Sequence, residues 1–240
     1  MIKKVVIAAA GQGTRMKHWS KCKSKHLICV KQKPFLAYLM ENLSLAGYKE
    51  IILVTGFRSD LMKEFLKEFN FQATIVNQFE ILGPKEKEYG TLCPIKCVKD
   101  IVGKDSFLAV YGDNLFSVED LKSLNNNDDY CYVAGRIEDK HPEKYGVLVE
   151  ENNFLKEIIE KPKDYIGNLV NTGLYKFTPD VFDKISQVKL SERGEYELTD
   201  AITLLAKDQK VKIKRLKDYW LDFGNPSDII KFSHFLEKKK

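Results

Sequence analysis

The sequence predicts an α/β fold of three layers, helix over sheet over helix, whose mixed sheet is mainly parallel with antiparallel additions in the second half. Three observations predict it. Short apolar runs alternate with helix-period segments through the first half, an aspartate stands at the carboxyl end of a buried strand near the middle, and the second half turns to closely spaced strands joined by polar turns.

Residues 4–10 (KVVIAAA) form an apolar run ending in glycines and read as the first strand. Residues 34–46 have helical period: Phe35, Leu36, Leu39, Met40 and Leu43 share one face, Pro34 suits the first turn and Gly47 the stop. A strand over 51–55, a helix over 61–69 and a strand over 73–76 complete a βαβαβ opening, and connections of this kind imply parallel strands with right-handed crossovers. A charged loop over 84–89 and a helical segment lead to a strand over 107–111 that stops at Gly112-Asp113-Asn114. In open α/β sheets, ligands bind outside the carboxyl ends of the strands. Residues 130–135, 145–150 and 154–160 read as antiparallel additions, the last two joined by Glu151-Asn152-Asn153. A strand over 169–177, helices near 179–185 and over 197–206, a strand over 211–216 and a helix from Pro226, with Asn225 as N-cap, close the chain.

With 240 residues, 44% of them hydrophobic, the chain can fill one continuous core, and no repeat or low-complexity linker divides it. A single domain over 1–240 is expected. The net charge of +5 comes from 39 basic against 34 acidic residues, part of it in Lys238, Lys239 and Lys240. It suits a pocket for phosphorylated small molecules as well as it suits nucleic acid, and no nucleic-acid partner is expected. Cys22, Cys29, Cys93, Cys97 and Cys131 are odd in number and lack paired CxxC spacing, which argues against a disulfide framework or a zinc ribbon. With no apolar stretch of spanning length and no leader pattern, a cytoplasmic protein without membrane contact is expected. Homo-oligomerisation is left open.

After the first strand comes Ala8-Ala9-Ala10-Gly11-Gln12-Gly13-Thr14-Arg15. Small residues let backbone N–H groups approach a phosphate, and Arg15 adds a planar charged fork. A dinucleotide-binding loop needs a third glycine where Met16 stands, and the chain has no GxxxxGK[ST] sequence. By itself the GxG is equally consistent with a tight turn. With Thr14-Arg15 attached, GQGTRM resembles the G-x-G-T-R-[LM] signature of the sugar-phosphate nucleotidyltransferases.

That resemblance implies a Rossmann-like nucleotidyltransferase fold in which residues 1–115 form a nucleotide-binding half, 116–225 a sugar-phosphate-binding half and 226–237 a C-terminal helix. Ala9, Ala10, Gly11, Gly13, Thr14 and Arg15 would wrap a triphosphate. The family's Pro-Lys-Pro-Leu-x-Pro-Val segment is matched by Ser24-Lys25-His26-Leu27-Ile28-Cys29-Val30, which keeps Lys25, a phosphate ligand by resemblance, and loses both flanking prolines.

Nucleotidyl transfer places negative charge on the α-phosphate and the leaving pyrophosphate, so Mg²⁺ held by one or two carboxylates is the expected device. Asp113 is the first candidate and Asp222 the second, the latter in Tyr219-Trp220-Leu221-Asp222-Phe223-Gly224-Asn225-Pro226, which is similar to the family's W-x-D-x-G-[TN]-P. Each aspartate alone reads equally well as a turn or cap residue. On the sugar side, Tyr145-Gly146-Val147, Glu160-Lys161-Pro162 and Asn171-Thr172-Gly173-Leu174-Tyr175 match family patterns. The resemblance implies that Gly146, Asn171 and Thr172 line the sugar, Glu160 accepts from its hydroxyls and Lys161 pairs with the 1-phosphate. Residues 195–202 (EYELTDAI) are similar to E-x-x-[IL]-T-D, where Thr199 and Asp200 serve structure first. Gln78, Gly90 and Thr91 fall where the family reads the base, with a longer loop after Gln78.

The expected activity is magnesium-dependent formation of a nucleotide sugar and pyrophosphate from a nucleoside triphosphate, dTTP or UTP, and a sugar 1-phosphate, glucose 1-phosphate being favoured. Catalysis would rest on Arg15, Lys25, Asp113, Lys161 and Asp222. A cytidylyltransferase for phosphocholine or another non-sugar phosphate remains an alternative on the same fold. A catalytically silent sugar-nucleotide sensor would require loss of Arg15, Lys25 or a metal acid, and all are present. No C-terminal β-helix or acyltransferase extension is recognised, so a second activity is not expected.

Overall fold

Val5 and Ile7 point to one side of β1 (Lys4–Ala9) and Val6 to the other, and all three are fully buried, so the strand needs a layer of helices on each face. The computed structural model describes every residue except 12, 14, 17–23, 57, 85, 86 and 240. A 3₁₀ turn (Lys25–Leu27) and a small hairpin, β2 (Cys29–Val30) with β3 (Lys33–Pro34), lead into α1 (Phe35–Leu45). β4 (Glu50–Thr55), α2 (Ser59–Glu68) and β5 (Thr74–Asn77) follow, and β1, β4 and β5 pair in parallel. Short helices α3 (Gln78–Leu82), α4 (Cys93–Lys96) and α5 (Lys99–Val102) connect to β6 (Phe107–Tyr111), which lies parallel to β1 on its other side.

The second half runs through β7 (Asn114–Phe116), α6 (Val118–Ser123), β8 (Cys131–Ile137), β9 (Gly146–Glu151), β10 (Phe154–Glu160) and β11 (Leu169–Phe177). It continues with α7 (Val181–Ile185), α8 (Leu198–Lys207), β12 (Val211–Arg215), β13 (Trp220–Asp222) and α9 (Pro226–Lys238). The main sheet has the order β10-β9-β11-β6-β1-β4-β5, with β8 paired to β11 and β12 to β8. One face packs on α1, α2 and Phe232 of α9, the other on α4, α5, α7 and α8.

The mixed α/β sheet agrees with the sequence expectation, and the β9–β10 hairpin turns at Asn152 and Asn153, both with positive φ as a tight primed turn requires. β8, β9 and β10 enter antiparallel as expected, whereas β12 lies parallel to β8. The elements that the sequence did not reveal are short. β7 and β13 have three residues each, too few for a period to show, and they pair with one another outside the main sheet. α6 is also short; Ser117 caps it by accepting from Asp120 N–H. The loop expected after Gln78 begins instead with the helical turn α3, capped by Asn77.

α6 also fixes the approach to β13. The buried Asp120 carboxylate accepts the backbone N–H groups of Lys217 and Asp218, both at 3.0 Å, which holds the chain just before β13. Two charge-assisted bonds at a buried site are each stronger than an ordinary one. Asp120→Ala is expected to lower unfolding free energy by about 2–3 kcal/mol, read by urea denaturation.

Candidate active site

β6 is followed by Gly112, where a Cβ would lie 3.0 Å from the His26 ring and 3.3 Å from Ala9, so glycine lets the chain pass close to both and place Asp113 at the sheet's carboxyl edge. β13 then brings Asp222 to the same place from more than a hundred residues away, because it pairs antiparallel with β7 and sets Asp222 opposite Asn114. Phe223 N–H donates to the Asp113 carbonyl at 2.8 Å, and the Phe223 ring stacks on Phe35 of α1 at 4.3 Å. Each aspartate is thus fixed by its own backbone. Trp220 Nε1–H donates to Asn114 Oδ1 at 2.7 Å, and the Asn114 amide donates to Asp113 Oδ1 at 3.0 Å.

The other Asp113 oxygen carries an ion pair with Lys25. Burial opposes ionisation of Asp113, but the Lys25 ammonium prevails and holds the carboxyl below its usual range. Asp222 goes the other way: burial, then repulsion from Asp113, push its carboxyl up to about 6, while Lys25 and Arg15 draw it back. Two hard carboxylates, of which Asp222 has an unmet need for positive charge, fit a Mg²⁺ ion, which takes one or two protein carboxylates and completes its shell from phosphate and water. Among the described residues no larger cluster of three metal-ligating side chains occurs.

Two adjoining cavities open at this edge. The first, about 310 Å³, is lined by Ala10, Gly11, Lys25, Gln78, Gly90 and Asp113, with His26, Tyr89 and Glu195 among others. The second, about 210 Å³, is lined by Gly146, Glu160, Lys161, Asn171, Thr172 and Asp222, with Tyr145, Arg193 and Trp220 among others. Arg15, Thr91, Tyr111 and Asn114 belong to both, so the cavities share a wall and each receives one of the two aspartates.

Local chemistry explains several placements. Gly90 sits at φ 144° with the Tyr196 backbone where a Cβ would be, and Leu92 N–H donates to Tyr196 O, which ties this loop to the start of α8. Gln78 is buried, and among the described residues its Oε1 has no partner. A register shift in β11 between Asn171 and Tyr175, with Gly173 at φ 76°, turns Asn171 and Thr172 toward the second cavity. A Cβ on Gly146 would lie 2.9 Å from Glu160 Oε2, so glycine there makes room for the carboxylate. Burial raises the Glu160 carboxyl above its usual value, against the pull of Lys161 and Arg193.

Ala9 turns its methyl into the core and lines neither cavity; Gly13 lies under the Lys25 stem. Thr172 is buried and donates to Ala134 O at 2.9 Å. Thr14 lies outside the described residues. Met16, standing where a dinucleotide loop needs glycine, is buried in the core. Sequence reasoning passed over Arg193, which is 3.5 Å from Glu160 and 3.4 Å from Glu197, and Tyr111, which sits between the cavities; the charged segment before the EYELTD motif was the available signal for Arg193.

Lys25 stands between two buried neighbours, Ser24 and His26, whose Oγ and Nδ1 are 2.7 Å apart. Burial, then the Lys25 charge, push the His26 imidazole down to about 3. Between pH 6.5 and 3 the unfolded chain therefore takes up a proton that the fold refuses. The contribution is complete above pH 6.5 and is lost as pH falls, about 2 kcal/mol by pH 5. Unfolding free energies at pH 7 and pH 5 are expected to differ by about that much more in the wild type than in His26→Gln.

The comparisons with known proteins agree with this architecture. A model of the nucleotidyl transferase family matches residues 4–239. A bifunctional sugar-1-phosphate nucleotidylyltransferase/acetyltransferase of Sulfurisphaera tokodaii is 34% identical over 229 residues, 95% of this chain and 54% of its own. A UTP–glucose-1-phosphate uridylyltransferase of Haloferax volcanii, AglF, is 30% identical over 231 residues, 93% of this chain and 92% of its own. The crystal structure of a UDP-glucose pyrophosphorylase complexed with UDP-glucose superimposes with a TM-score of 0.86 at 26% identity, covering 100% of both chains. The chain spans about half the length of several curated relatives it matches, the Sulfurisphaera protein among them. A family match from the first strand to the last helix, on a mixed sheet that gathers both aspartates at its carboxyl edge, means that the chain belongs to the nucleotidyl transferase family.

Proposed function

We propose that this chain transfers a nucleotidyl group from UTP or dTTP to a sugar 1-phosphate, with glucose 1-phosphate the favoured acceptor, and releases pyrophosphate. The observation that carries this is the pair of cavities sharing Arg15, Thr91, Tyr111 and Asn114, with Asp113 on one side and Asp222 on the other. A reaction joining two phosphorylated molecules needs that arrangement: two pockets, one seam and positive charge at the seam.

The triphosphate takes the first cavity, with Gly11 backbone, Arg15 and Lys25 against its phosphates. Gln78 Oε1, unpartnered among the described residues, offers an acceptor to a base that donates from N3, as uracil and thymine do and cytosine does not. The sugar 1-phosphate takes the second cavity. Glu160 accepts from its hydroxyls, Asn171 and the backbone at Gly146 flank the ring, and Lys161 with Arg193 binds the phosphate. An oxygen of the 1-phosphate attacks the α-phosphorus in line; a new P–O bond forms as the α–β bridging P–O bond breaks and pyrophosphate leaves. The nucleophile is already ionised, so no general base is required. Asp113 and Asp222 would hold Mg²⁺, which supplies positive charge to the phosphates when bound. Arg15 and Lys25 draw negative charge away from the seam on the nucleotide side, and Lys161 positions the attacking phosphate.

The names of the Haloferax relative and of the superimposed pyrophosphorylase favour uridylyl transfer to glucose 1-phosphate. Free thiols at Cys29, Cys93, Cys97 and Cys131 suit a reducing cytoplasm, and among the described residues no helix is long and apolar enough to cross a membrane.

Pyrophosphate release is to be measured with each nucleoside triphosphate against a panel of sugar 1-phosphates and phosphocholine. Release with UTP or dTTP and a sugar 1-phosphate is expected; release only with CTP and phosphocholine would overturn the substrate assignment. Asp113→Asn is expected to lower kcat by about a thousandfold, equivalent to about 4 kcal/mol, with the fold intact by circular dichroism. Gln78→Ala is expected to raise the KM for the triphosphate about tenfold while leaving the KM for the sugar phosphate unchanged.

A further inference from the structure

Lys25 reaches Asp113 from a turn whose two flanking side chains have no role in the chemistry above. Ser24 and His26 are 0% and 1% exposed, and among the described residues the hydrogen bond of each side chain is the one that joins them across Lys25, Oγ to Nδ1, at 2.7 Å. The turn is a single 3₁₀ unit closed by Leu27 N–H to Ser24 O and Ile28 N–H to Lys25 O. Ser24 adopts φ −58° and ψ 141°, and that φ is the value a proline ring would impose. The His26 ring is wedged against Gly112, next to Asp113, so it joins the turn that carries Lys25 to the strand end that carries its partner. On the other side, the Lys25 stem lies where a Cβ on Gly13 would come within 2.8 Å of Lys25 Cβ.

We propose that Ser24 and His26 are positioning residues for Lys25: their mutual hydrogen bond locks the turn and aims the ammonium at Asp113 in the first cavity. Its catalytic consequence rests on the nucleotidyl-transfer reading of the site. A side chain held by packing and a supporting hydrogen bond spends no binding energy on finding its reactive geometry, and a displacement of about 1 Å can cost about a hundredfold in rate.

The test is a double-mutant cycle with a second readout that needs no activity. Ser24→Ala is expected to lower kcat about tenfold or more with the KM for the sugar phosphate unchanged. In a Lys25→Ala protein the same change is expected to alter kcat by less than about twofold, because the group it positions is gone. Ser24→Pro with His26→Pro restores a rigid turn by covalent means and is expected to recover most of the rate; it also keeps the test open should Ser24→Ala fold poorly. Acylation of Lys25 by an amine-directed reagent, followed by mass spectrometry, is expected to be slow in the wild type and several-fold faster in Ser24→Ala. Equal loss of kcat with and without Lys25, or unchanged Lys25 labelling in folded Ser24→Ala, would overturn the positioning role. Should the wild type release pyrophosphate with no substrate pair, the reaction assignment fails alone and the labelling decides the clamp.

Discussion

The hydrogen bond from Phe223 N–H to the Asp113 carbonyl, at the end of the β7–β13 pair, holds together two acids that repel one another. The repulsion is visible in Asp222, whose carboxyl is pushed up to about 6 by burial and by Asp113. Backbone pairing alone over three residues is weak, and the aromatic anchor supplies the rest. Phe223 stacks on Phe35 and meets Phe232 of α9 edge to face, and burial of each such ring contributes up to about 3 kcal/mol. The strain of gathering like charges is thereby charged to the hydrophobic core beneath them, and Asp120 secures the approach from the other side.

Around that pair, charge is sorted by cavity. Arg15 and Lys25 line the first and Lys161 with Arg193 the second, and Arg15 reaches both. The cations are restrained by different means. Lys25 is paired with Asp113, Arg193 is divided among Glu160, Glu195 and Glu197, and Lys161 is set at φ 45°, with its N–H donated to Tyr145 O. These internal partnerships neutralise charge within the cavities, which is how a site rich in cations can remain folded.

The sheet supplies the geometry that such sorting needs. β1 and β6 run parallel and deliver the glycine loop and Asp113 to one edge. β11, antiparallel to β6, bends at its irregularity and delivers Asn171 and Thr172 beside them. Thr91 links this wall to the start of α8, because its hydroxyl accepts from Leu198 N–H and donates to Glu197. The wall common to the two cavities is therefore built from segments that are far apart in the chain and each tied to a different layer.

The sequence by itself determined the βαβαβ opening, the antiparallel hairpin with its Asn152-Asn153 turn, and α9 with its Asn225 boundary, since periodicity and turn chemistry are local properties. It also made the candidate residues legible, through GQGTRM, Gly-Asp-Asn, Glu-Lys-Pro and Trp-x-Asp-x-Gly-Asn-Pro. Only the tertiary structure decided that Asp113 and Asp222 meet, because β7 and β13 are too short to show a period and find one another solely by pairing. It likewise decided that Ala9 faces the core while Ala10 lines a cavity, that Arg193 reaches Glu160, and that Ser24 and His26 bond across Lys25. These are matters of which side chains share a space, and that depends on how the layers pack, which no local pattern in the chain encodes.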